Sequence, residues 1–172
     1  MSSGDHDCLP LEAQLEQIRQ WFKTYVDARF PGAEARCLPN THKSSLSGII
    51  EEQGLLGTWP SACAWEMILD IALTYRTGNS TNLLLAKVHR RGLTIAHVGE
   101  MVCYSLVSRP ALAFVVTTQA LSPALSQVLW KQGHWDLLKY GKHYVGLIRW
   151  DKRLKRGFPL CGETLPIGMG TR

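Results

Sequence analysis

Leu11, Leu15, Ile18, Phe22, Tyr25 and Val26 recur at the spacing of one helix face, with Glu12 and Glu16 early in the element. The pattern predicts an amphipathic helix over 10–28, ended by Pro31-Gly32 and preceded by a polar leader, 1–9, expected to be flexible. The Ser- and Gly-rich segment 39–57 reads mostly as an irregular connection. Trp65, Ile68, Leu69, Ala72 and Leu73 form a second apolar stripe, so 62–76 reads as a largely buried helix stopped by Gly78. Ser80 or Thr81 can cap a third helix through Leu83, Leu84 and Val88 to Gly92.

Strand signals follow. Residues 93–98 have the composition of a short strand, 110–116 that of an interior strand introduced by Pro110, and 143–150 that of another. Ser122-Pro123 opens a helical stretch to Lys131 between them. The basic segment 152–157 is a natural turn into a return strand. The expectation is one α+β domain over 1–172, mainly helical over 10–92 and mainly sheet over 93–165, with a mobile tail at 166–172.

Composition narrows the setting. Lys and Arg number 19 against 14 Asp and Glu, and much of the excess lies in Lys139, Lys142, Arg149, Lys152, Arg153, Lys155 and Arg156. Such a cluster attracts phosphate or acidic peptide, although a solvated turn is the commoner explanation. An RNA reader should add exposed aromatics for stacking, whereas Tyr140, Tyr144 and Trp150 fall in a stretch able to bury them. The five cysteines are scattered without a CxxC pair, which indicates neither a disulfide framework nor a zinc knuckle. No signal peptide and no apolar run of roughly 18 residues is present, so the expected location is cytosolic with no membrane partner. His6, His42, His89, His97 and His134 show no metal-ligand spacing, and phosphate-binding glycine loops are missing. No metal or cofactor is expected.

Two residues suit covalent chemistry. Cys63 falls in the first turn of the expected second helix, where free amides and the dipole favour a thiolate. His143, at the start of a strand, can supply the base after the chain folds back. Ser61-Ala-Cys-Ala-Trp65 and, later, His143-Tyr-Val145 resemble papain-like cysteine peptidases in the broad sense. These include the bacteriocin-processing type and viral papain-like or deubiquitinating proteases. Pro110-Ala-Leu-Ala-Phe-Val looks like the strand before the histidine strand of the bacteriocin-processing type, and the resemblance covers roughly 53–163. Ala64 interrupts the Cys-Trp string of papain.

The resemblance implies a helical subdomain carrying Cys63, packed on a small, mainly antiparallel sheet carrying His143. It implies cleavage of peptide or isopeptide bonds in a protein or peptide substrate, ubiquitin-like ones included, and an upstream oxyanion donor, for which Gln53 is the available glutamine. For the residue orienting His143, an extended 143–150 would put Asp151 on the order of 26 Å away. A hairpin centred near Arg153 instead brings Glu163 opposite His143, and Asp136 stays open. Viral leader proteases of this type cut after a glycine near their own C-terminus, which makes Gly168 and Gly170 candidates for self-processing. Two other classes remain: a non-enzymatic nucleic-acid-binding or viral structural protein using 139–156, and a cysteine-dependent acyltransferase or amidase.

Overall fold

A computed structural model describes residues 11–161. The elements run α1 (Leu11–Arg29), β1 (Glu34–Cys37), α2 (Leu46–Glu52), a 3₁₀ turn (Pro60–Ala64), β2 (Ile71–Thr77), β3 (Ser80–His89), α3 (Ile95–Ser108) and β4 (Leu112–Thr117). Then come α4 (Pro123–Ser126), a π turn (Gln127–Lys131), a second 3₁₀ turn (Trp135–Leu138), β5 (Lys139–Tyr140), β6 (His143–Asp151) and β7 (Arg156–Cys161). The fold is α+β around a mixed seven-stranded sheet of order β1-β2-β3-β4-β6-β5, with β7 also pairing β6. The β3–β4 and β4–β6 pairs are parallel, and the other four pairs are antiparallel.

Both faces of the sheet are covered. On one, Ile18, Trp21, Phe22, Tyr25 and Val26 of α1 pack against Ile71, Leu73, Tyr75, Leu84, Phe114, Val116, Ile148 and Trp150. On the other, Leu46, Ile49 and Ile50 of α2, Val98 and Met101 of α3 and Leu125 of α4 cover Ala72, Leu83, Leu85, Val115, Val145 and Leu147. Each such burial contributes on the order of 1.5–3 kcal/mol.

Helix 10–28, strand 110–116, the helical stretch from Ser122, strand 143–150 and the basic hairpin turn all appear close to their expected places. The helices expected over 62–76 and 80–92 do not. Residues 60–64 make a single 3₁₀ turn, 65–70 lie between named elements, and 71–77 and 80–89 are β2 and β3. Ile71 to Tyr75 and Leu83 to Ala86 are buried without a break because each strand is covered on both faces, and such runs carry no period to separate strand from helix. Gly78, expected as a helix stop, is half of the two-residue hairpin turn closed by the Thr77–Ser80 pair, with φ +58°. Residues 95–98, expected as strand, are the first turn of α3, and 46–52 of the expected irregular segment is α2. Residues 10–92, expected to be mainly helical, therefore hold two helices, one 3₁₀ turn and three strands. The leader 1–9 and the tail 166–172 lie outside the described residues.

The parallel trio sets where a site can form. Residues His89, Thr117 and Arg149 stand in one row at the carboxyl ends of β3, β4 and β6. The turn after β6 lies at this same end, as does the start of β2, where Ile71 pairs with Ala86. Ligands of open α/β sheets bind outside the carboxyl ends of parallel strands.

Candidate active site

The residues singled out from sequence are distributed over several elements. Cys63 is exposed, and its thiol donates to the Pro60 carbonyl oxygen at 3.6 Å within its own turn. That five-residue 3₁₀ turn is not the helix N-terminus expected to activate it. His143 is half-buried at the start of β6, stacks on Tyr140 with ring centres 5.6 Å apart, and lines a cavity of about 440 Å³ with Ser105, Arg109 and Lys142. No hydrogen bond joins Cys63 to His143 among the described residues. Gln53 caps the end of α2, and its Oε1 accepts from Arg36 at 2.8 Å. Asp151 accepts the amides of Arg153 and Leu154 at 2.8 and 3.0 Å, at the opposite end of β6 from His143. Asp136 lies 3.9 Å from His134. Glu163, Gly168 and Gly170 lie outside the described residues. Cys103, placed in an apolar stretch, is exposed on α3.

A different group converges at the carboxyl end of the parallel strands. Lys87 and His89, two apart on β3, share the face under α3. Lys87 Nζ lies 3.7 Å from Glu100, and the His89 ring stacks on His97 at 3.9 Å. Glu100 and His97 are three apart on α3, which places them on one helix face. The result is two rungs from strand to helix. Lys87 also donates to the Ile68 carbonyl oxygen at 2.8 Å, and Asp70, just before β2, accepts the Val88 amide at 2.7 Å. Both bonds fix the 68–70 segment against the end of β3.

The electrostatics are tightly shared. Burial first, then the facing His97, hold His89 below the ordinary histidine range, while Asp70 and Glu100 pull the other way. Its Nε2 is buried without a hydrogen-bond partner among the described residues. Burial, then a hydrogen bond to Glu100, push the Tyr104 hydroxyl up. The Thr94 amide donates to His97 Nδ1 at 3.3 Å, a bond that requires Nδ1 to be unprotonated. Arg19 of α1 donates to the Asp70 carbonyl oxygen at 3.4 Å.

Neither a protein-family model nor a curated protein matches this chain. The chemistry therefore has to be read from the cluster itself. Among the described residues no three His, Cys, Asp or Glu side chains form a complete metal-ligand set. Asp70, Lys87 and Glu100 nonetheless gather two carboxylates and an ammonium at one strand end. Exposed Arg90 and Arg91 follow β3, exposed Arg149 ends the row, and exposed Lys152, Arg153 and Lys155 form the turn beyond it. Arg149, Lys152, Arg153 and Lys155 of the basic cluster seen in the sequence thus rim the same end of the sheet as Asp70, Lys87 and Glu100, whereas Lys139 and Lys142 stand at the opposite end, beside His143.

Sequence reasoning missed this cluster because it needs β2 and β3 to be strands. The usable signal was Lys87, the single charge inside the apolar run Leu83 to Val88. Reasoning about aromatics missed Trp130 and Trp135, which are 45% and 37% exposed. Of the three aromatics expected to be buried, Tyr140 and Trp150 are, whereas Tyr144 is 41% exposed.

Proposed function

We propose that the chain is a nucleic-acid-processing phosphodiesterase whose reacting group is Asp70, Lys87 and Glu100. The carrying observation is the Lys87–Glu100 pair at 3.7 Å, beside Asp70 and inside a basic rim at the carboxyl ends of the parallel strands. In this reading Asp70 and Glu100 would hold a hydrated Mg²⁺-type cation, which would supply positive charge against the phosphate. Lys87 places its ammonium beside the phosphoryl oxygens, where negative charge gathers in the transition state. Water adds to phosphorus, one phosphorus–oxygen ester bond breaks, and the proton lost by water ends on the departing alkoxide. The rim holds the strand by its phosphates.

The test is cleavage of single- and double-stranded DNA and RNA with Mg²⁺ or Mn²⁺. Asp70→Asn, Lys87→Ala and Glu100→Gln should each lower the rate by roughly 100-fold or more, the range for losing a preorganised electrostatic group. A wild-type chain that cuts none of the four substrates with either ion overturns the reading.

A second reading is the papain-like thiol hydrolase, with Cys63 as nucleophile and His143 as base. The exposure of the Cys63 thiol favours it. Selective capture of Cys63 by a ubiquitin or peptide electrophile, far faster than alkylation of Cys103, which is also exposed, supports this second reading. Equal rates at the two thiols remove it.

A further inference from the structure

We infer that the cleft beside Trp130 holds an unpaired base, so that the substrate is a single-stranded or locally opened nucleic acid. The inference rests on the phosphodiesterase reading for what happens to the strand, but its binding test does not need cleavage. Trp130 stands on the π turn after α4 and meets Trp135 edge to face, ring centres 5.1 Å apart. Large side chains on this turn have an apolar face to satisfy, and Leu129 does so at 0% exposure, whereas its neighbour Trp130 is left 45% exposed. Two tryptophans held against each other in solvent are preformed stacking surface, because little rotamer freedom is left to lose on binding.

The cleft itself is about 380 Å³ and is walled by Trp130, Leu121, Leu160 and Arg149. That combination, a flat aromatic wall with a guanidinium beside it, fits a base and its phosphate rather than an apolar peptide. Position supports the same occupant. Arg149 lies in the row that contains Thr117 and His89, two strands from the histidine rung. Two strand spacings are about 10 Å, so a strand whose base stacks on Trp130 presents a phosphate a few nucleotides away to Lys87 and Glu100. Exposed Arg90 and Arg91 after β3 and the exposed 152–155 turn after β6 supply complementary charge at the two ends of that path. A base inside an intact duplex cannot reach the wall, since its faces are covered by its neighbours, which is why the strand must be unpaired.

The test measures affinity for oligo(dT) and oligo(U) against a duplex of equal length, in EDTA, by quenching of tryptophan fluorescence. Wild type should favour the single strands. Trp130→Ala should weaken them by roughly 5- to 100-fold, the span for losing one stacked base, while Trp130→Phe keeps most of the affinity and duplex binding changes little. Equal affinity of wild type for single strand and duplex, or a Trp130→Ala variant that melts like wild type and binds single strands as well, overturns the inference. Stacking without any cleavage in the metal-dependent assay leaves this inference standing and removes the phosphodiesterase reading. Cleavage of duplex with no effect of Trp130→Ala does the reverse. The preference between oligo(dT) and oligo(U) then assigns the strand to DNA or RNA.

Discussion

Lys87 and Glu100 lie 3.7 Å apart across the seam between β3 and α3, each partly open to solvent, with Lys87 also bonded to the Ile68 carbonyl oxygen. A cation facing solvent needs no such double restraint for folding. The Ile68 carbonyl oxygen on one side and the Glu100 carboxylate on the other hold its ammonium in place at the strand end.

Lys87→Met separates those roles. The side chains are 23% and 34% exposed, so solvent screens the pair and its removal should cost no more than about 1 kcal/mol of stability. Phosphodiester cleavage should fall by roughly 100-fold or more. Urea melts and cleavage rates on the same preparation check this. A stability loss of several kcal/mol with an undiminished rate would make Lys87 a structural residue.

The His89–His97 stack predicts a pH dependence. His89 is held below the ordinary histidine range by burial and by His97, with Lys87 acting in the same direction and Asp70 and Glu100 opposing. The unfolded chain therefore binds the proton more readily than the folded one. Its contribution to stability is present above about pH 6.5, the ordinary histidine value, and is lost as pH falls toward the depressed folded value. Urea melts of wild type should show stability dropping between pH 7.5 and 5.5, and His89→Gln should flatten that drop. An identical slope in the variant would assign the pH dependence elsewhere.

How much of this was legible in the sequence depended on one kind of pattern. α1 has a polar face, so its apolar period survives in the sequence, and the β6–β7 hairpin announces itself through the charged turn between apolar runs. β2 and β3 are buried on both faces, and the stripe Trp65, Ile68, Leu69, Ala72, Leu73 mimics a helix although it joins a loop to a strand. With those two strands misread, Asp70, Lys87 and Glu100 are three unrelated charges. Only the Ile71–Ala86 pairing and the β3–α3 packing bring them to one place. The exposed aromatics Trp130 and Trp135 stand on turns of five and four residues, too short for an apolar period to mark which side faces solvent.

Gly157 supplies a stability prediction remote from the site. It is buried in β7 opposite Trp150, and an added Cβ would stand 2.8 Å from both Ile148 Cγ2 and Trp21 Cη2. Ile148 of β6 and the Trp21 ring of α1 are packed in the core between helix and sheet, and neither can give way as a flexible chain end would. Gly157→Ala should lose about 1–3 kcal/mol in urea unfolding. Trp21→Leu in the same background should recover part of that loss by clearing the ring. Full wild-type stability in Gly157→Ala would mean that α1 sits less closely on β7 than the structure has it.

The basic turn supplies the last prediction. Asp151 already orders it by accepting the Arg153 and Leu154 amides, and Lys155 occupies the left-handed region at φ +48°. Charge can therefore be removed without unfolding the hairpin if position 155 receives asparagine, which tolerates that conformation, while Lys152, Arg153 and Arg156 become serine. If the turn grips phosphates, each lost contact should lower the slope of log affinity against log salt by about 0.7 for single strands or about 0.9 for duplex. Four lost contacts would flatten it by roughly 3 to 4. A small phosphodiester with no strand on either side has nothing for the turn to hold, so its cleavage rate should stay near wild type. Binding isotherms at four salt concentrations, together with that rate, decide the role of the turn. A slope unchanged by the substitutions would show that Arg90, Arg91 and Arg149 carry the strand alone. Loss of the small-substrate rate would instead tie the turn to the reacting group itself.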